Sequence, residues 1–184
     1  MAEQREQEVA DALLTRIGQV VMLHHGGDRE EARDRLLEMW GEVGEDGEAV
    51  HRCTLAHYLA DTQDDPSDEL AWDLRALTAA DETPSAVRSL YPSLHLNLAA
   101  DYEKLGRPDA ARTHLRAARV AARGLGEDGY SSGVREAIER LAGRLGKGRG
   151  GVGVLGGGWA VSGGGWVGGE WWGREVRGRC RGGR

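Results

Sequence analysis

Apolar residues recur at spacings of three and four through the first 145 residues, and no stretch sustains an apolar–polar alternation. That period lines one face of an α-helix rather than of a strand. Val9, Leu13, Ile17, Val20 and Val21 form the first stripe and predict a helix from about Gln4 to His25. Gly26-Gly27 ends it, because glycine is the usual residue just past a helix C-terminus. Asp28 and Glu31 make a D-x-x-E pattern akin to a capping box, ahead of a second stripe at Ala32, Leu36, Met39 and Val43. A third helix is predicted over 48–62, with Val50, Leu55 and Leu59. Asp65-Pro66 marks the next start, a capping side chain followed by a proline whose missing N–H costs nothing in a first turn. The fourth stripe is Leu70, Ala71, Leu74 and Leu77, and 80–91 read as irregular around Pro84. A fifth helix begins near Pro92, carries Leu94, Leu98, Ala99 and Tyr102, and stops at Gly106. Pro108 opens a sixth, with Ala111, Leu115, Ala118 and Ala122. A seventh follows Ser131-Ser132, with Val134, Ile138, Leu141 and Leu145. Seven helices on short connections predict an all-α stack of about three antiparallel helix pairs plus a C-terminal capping helix.

Two stretches share one template. Leu98-Ala99-x2-Tyr102 is followed by Ala111-x3-Leu115 and Ala118, and Gln19-Val20-x2-Leu23 by Ala32-x3-Leu36 and Met39. In both, nine residues separate the third position from the alanine, and a glycine, Gly106 or Gly27, stands four beyond it. Small residues at Ala99 and Ala111 let two helices approach closely, and Tyr102 and Leu115 fill the space around them. Leu55-Ala56-x2-Leu59 matches the first helix of a middle unit, whose second helix fits only through Leu70-x3-Leu74. The pattern resembles the tetratricopeptide repeat (TPR), W-x2-L-G-x2-Y…A-x3-F…P, over roughly residues 12–125. The Trp and the terminal Pro of that pattern have no match here, and the units start unevenly, at 19, 55 and 98. The phrases HRCTLAHYLAD, DELAWDLRALTAAD and YPSLHLNLAADYEKLGRPDAA also look like TPR-type proteins of high-GC bacteria. An unrelated helical bundle is the alternative.

Charge divides the chain at the same place as composition. Residues 1–145 hold 17 basic and 28 acidic residues, and 146–184 hold 7 and 2. Of the 29 glycines, 17 fall in the last 39 residues. The expected organisation is a helical repeat domain at 1–145 and a disordered, basic Gly/Trp/Arg-rich tail at 146–184. The acidic body argues against nucleic acid, whose phosphates need a basic stripe. No 18-residue apolar run is present, so no membrane span is expected. The charged start MAEQREQEVAD and the two cysteines, Cys53 and Cys180, suit a cytoplasmic protein without a disulfide framework.

Candidate chemistry is sparse. His51, Cys53 and His57 cluster on the third helix, and His24-His25 ends the first. A structural zinc site needs four convergent ligands and usually a tighter motif, so no metal and no cofactor are expected. Cys53, His57 and Asp61 follow at one-turn spacing and make the enzyme version of the cluster, a nucleophile, a base and an orienting carboxylate. No oxyanion site accompanies them, so catalysis is not expected. Gly151-x-Gly153-x2-Gly156 matches G-x-G-x-x-G only through glycine abundance, since no strand and helix flank it. The tail's four Trp and five Arg beyond 158 suit single-stranded nucleic acid. Gly, Arg, Trp and Val make up 32 of its 39 residues, which also matches a GC-rich gene read out of frame.

The TPR resemblance implies a protein- or peptide-binding scaffold whose first helices line a concave groove. It places Ile17, Val21 and His24 from the first unit on that groove, with Cys53, His57 and Asp61 from the second. Leu96, Asn97, Ala100 and Glu103 come from the third. Asn97 resembles an Asn with which chaperone-binding TPRs hold a peptide carboxylate, but their accompanying Lys and Arg are unmatched and that activity is not carried over. The competing expectation is a regulatory or sensory helical domain that responds to a small peptide or a metal.

Overall fold

The computed structural model describes residues 2–147, with side chains from Ala12 on. Of the tail expected to be disordered, Gly146 and Lys147 are the last residues of α7, and 148–184 lie outside the described residues. Seven α-helices follow one another: α1 Ala2–His25, α2 Arg29–Val43, α3 Ala49–Asp61, α4 Pro66–Glu82, α5 Tyr91–Lys104, α6 Pro108–Ala122 and α7 Gly129–Lys147. A single 3-10 turn, Arg88–Leu90, leads into α5. Among the described residues there is no strand, and no helix is long and apolar enough to cross a membrane.

Local chemistry sets most boundaries. The Asp65 carboxylate accepts the Ser67 N–H at 2.7 Å, with Pro66 in the first turn of α4. Asp28 occupies the N-cap of α2 but makes no side-chain capping bond, so the D-x-x-E pattern there is not a capping box. α7 begins two residues ahead of Ser131-Ser132, because Asp128 Oδ1 accepts the Ser131 N–H at 2.7 Å. α4 runs on to Glu82 through part of the stretch that reads as irregular, since Ala76, Ala79 and Ala80 are buried against α3 and α5.

Consecutive helices pack as pairs, and α1 also meets α3 as α5 meets α7. The template shared by units one and three is visible in the turns. Gly27 and Gly106 adopt φ of 104° and 67°, the left-handed region that favours glycine. In the first turn Asp28 N–H donates to Leu23 O and Ala32 N–H to Asp28 O; in the second Arg107 N–H donates to Tyr102 O and Ala111 N–H to Arg107 O. The same small residues are sealed on both sides: Ala32 in one pair, Ala99, Ala111 and Ala118 in the other.

The core consists of three clusters along the chain. Ile17, Val20, Val21, Ala32, Leu36, Met39, Leu55 and Leu59 join α1, α2 and α3. Cys53, Ala56, Ala76, Ala79, Val87, Leu90 and Leu94 join α3, α4 and the start of α5. Leu96, Ala99, Ala111, Leu115, Val134, Ile138 and Leu141 join α5, α6 and α7. Trp40 and Trp72 meet edge to face at 5.1 Å and pack against both of the first two clusters.

Candidate functional site

Two carboxylates occupy apolar stripes. Asp73 lies three residues after Leu70 and three before Ala76, and Asp101 three after Leu98. Helical packing therefore carries both inside, where each is 0% exposed. Asp73 is on α4 and Asp101 on α5, and His57 on α3 and Asn97 on α5 complete the constellation. Asn97 Nδ2 donates to Asp73 Oδ1 at 3.5 Å and lies 3.4 Å from His57 Nδ1. His57 Nδ1 is 3.7 Å from the same Asp73 oxygen, an ion-pair separation. Lys104, one turn past Asp101, reaches both Glu69 oxygens at 2.5 Å and stands 3.5 Å from Asp101 Oδ1.

The electrostatics follow from burial. Asp101 is pushed up to about 9, first by burial and then by the charges of Asp73 and Glu69. Burial and the neighbouring carboxylates thus favour the protonated acid at neutral pH. Asp73 is itself raised by burial, against the opposing pull of His57. Burial works against a charge on His57, but Asp73 and Asp61 outweigh it and the ring ends above its ordinary value. Asp73 Oδ2 and both Asp101 oxygens have no hydrogen-bond partner among the described residues. An arrangement so incompletely satisfied costs stability, so it needs a reason beyond packing.

His57 is only partly covered, its side chain 16% exposed, and its Nε2 makes no hydrogen bond among the described residues. Asp61, one turn on, is exposed, yet surrounding protein desolvates its carboxyl and raises it. Asn97, half-buried, faces the same region, so His57, Asp61 and Asn97 form a polar surface on successive odd-numbered helices.

The other groove candidates lie elsewhere. Ile17, Val21, Cys53 and Leu96 are core residues, at most 4% exposed, because in this packing their helix faces meet the paired helix. Ala100 packs on the α5–α6–α7 core. Glu103 is engaged by Arg144 of α7, whose Nε and Nη2 donate to both carboxylate oxygens at 2.7–3.1 Å. His24 is half-buried beside His25, with Nδ1 lacking a partner and the ring held below its ordinary value by burial, then by His25 and Arg29.

The enzyme version of the cluster is not assembled. Cys53 is fully buried, and burial together with Asp73 pushes its thiol up to about 12, so no thiolate is present at neutral pH. His57 turns to Asp73, not to Asp61. Among the described residues no group of three or more His, Cys, Asp or Glu is arranged to hold a metal ion. Sequence reasoning missed Asp73 and Asp101, whose signal is an acid interrupting an apolar stripe. No protein-family model, no curated protein and no solved structure matches the chain.

Proposed function

We propose that the chain is a TPR-like scaffold, acting in the cytoplasm and without catalytic activity, that binds a protein or peptide segment along its odd-numbered helices. The observation that supports it is the position of His57 and Asn97 on adjacent odd helices, open to solvent on one side and backed by Asp73 and Asp101 on the other. An amide and an imidazole held in place by buried partners make a preorganised surface for the backbone of an extended segment. The repeat-like turns at Gly27 and Gly106 fit the same reading.

The test is binding of the full chain to an immobilised peptide array. Asn97→Ala and His57→Gln should each weaken the selected peptides about five- to tenfold, the value of one lost hydrogen bond of roughly 1–1.4 kcal/mol. Helical content should stay unchanged. Equal binding by both variants and the wild type would reject this face as the groove.

A further inference from the structure

We propose that His95 and His114 form a proton-operated latch between α5 and α6, closed while the two rings share one N–H and opened when the pair takes up its second proton. His95 stands two residues before Asn97, on a different face of α5, so the latch does not depend on the proposed groove.

The sequence puts the two rings on facing stripes. Tyr91, His95 and Tyr102 follow one face of α5 at spacings of four and seven, and Ala111, His114 and Ala118 follow one face of α6 at three and four. Ala111 and Ala118 are sealed in the α5–α6–α7 core, where their small side chains bring the helices close. A row of four partly buried rings results. Tyr91 tilts against His95 at 6.2 Å, His95 against His114 at 5.4 Å, and Tyr102 stacks on His114 at 5.4 Å. His95 Nδ1 lies 3.2 Å from His114 Nδ1. The ring centres are farther apart than these nitrogens by about the width of one ring, so the nitrogens point at one another. A metal ion shared by both would need their lone pairs to converge on a third point instead.

Two nitrogens aimed at each other at this distance have room for one hydrogen. With both rings neutral, one Nδ1–H donates and the other Nδ1 accepts. A first proton goes to the bare Nε2 of the donor ring, and the bond survives as a charge-assisted one. A second proton must go to the accepting Nδ1. It sets N–H against N–H and two like charges side by side, and the rings part. Little faces the pair that could relieve this. From α4, Asp81 favours a charge on His95, but it is exposed and accepts the Tyr91 hydroxyl at 2.8 Å. From α5 the facing groups are the phenols of Tyr91 and Tyr102, and on α6 His114 is flanked by Ala110, Ala111, Ala117 and Ala118. α7 packs on these helices through Val134, Ile138 and Leu141, and among the described residues none of its charges acts on either ring. Burial holds both imidazoles below their ordinary value of 6.5, and His114 lowers His95 further. The latch is therefore shut at neutral pH and opens in acid.

The experiment is a nitrogen-15 histidine NMR titration of the full chain from about pH 8 to about pH 4.5, with the two rings assigned through His95→Gln and His114→Gln. A scalar coupling between the two Nδ1 atoms should be present at neutral pH, persist through the first protonation and vanish at the second, the two midpoints lying about one pH unit or more apart. Amide-exchange protection across α5 and α6 should fall about five- to tenfold at the second step, the value of one lost hydrogen bond. In His114→Gln, His95 should titrate in a single step. No coupling at neutral pH, two titrations with one midpoint, or protection unchanged after the second proton would overturn the latch. Coupling and protection are both read on the wild-type chain, so a variant that fails to fold leaves the test intact.

Discussion

Replacing Asp101 by Asn preserves the shape of a side chain that is 0% exposed and removes its proton equilibrium. Burial, then Asp73 and Glu69, raise that carboxyl from 3.8 to about 9. Between about pH 4 and pH 9 the folded chain thus holds a proton that the unfolded chain has released. A raised folded value means that this contribution to stability is fully present below the unfolded value and is lost as pH climbs toward 9. One proton corresponds to about 1.4 kcal/mol per pH unit, so moving from pH 6 to pH 8 costs the wild type about 3 kcal/mol through this group. Asp101→Asn carries no such proton equilibrium and escapes that loss. His57, also raised, loses stability in the same direction, starting from its ordinary value of 6.5. His24, His95 and His114, held below 6.5, add stability as pH rises toward 6.5. These histidine terms are common to both proteins, so the difference between them reports the Asp73–Asp101 pair. Urea unfolding followed by circular dichroism at pH 6, 7 and 8 is the assay. The variant should gain about 3 kcal/mol on the wild type across that range. Parallel pH profiles would show that Asp101 is ionised in the folded chain and refute the buried-acid assignment.

Ala111→Leu should cost about 1–3 kcal/mol in urea, because Ala111 is sealed between α5 and α6, whereas Val120→Ser at an exposed position should shift stability by less than about 0.5 kcal/mol. Gly106→Ala should cost about 1 kcal/mol by the same measurement, since φ of 67° strains any residue with a Cβ, although the space around it is open. Alkylation of Cys53, read by mass spectrometry, should be negligible in the native chain and complete in 6 M urea; rapid native labelling would mean that the α3–α4 contact opens.

The helices were legible because their information is local. Pro66 and Pro108 start α4 and α6, Gly27 and Gly106 close α1 and α5, and most stripe residues lie in the core, although Leu74 of the fourth stripe is exposed. What local pattern cannot convey is which helices lie across from one another. His57 and Asp61 are a turn apart on one helix, so the sequence pairs them, but the packing of α3 on α4 gives His57 to Asp73, 16 residues away. The same limit misplaces Cys53 and Leu96: a helix shows which residues share a face, but not whether that face meets solvent or its paired helix. Asp73 and Asp101 were readable as acids within apolar stripes. Their meeting depends on the register of α4 against α5, which no spacing records.

The groove itself is tested most directly by two side-chain resonances. A peptide selected on the array is titrated into the full chain while the His57 imidazole and the Asn97 amide are followed by NMR. Both should shift saturably with the same dissociation constant, while the methyl groups of Leu37, Leu74 and Val120, exposed on even-numbered helices, stay where they are. Shifts at those methyls with His57 and Asn97 unmoved would place the binding surface on the opposite side of the stack and contradict the groove.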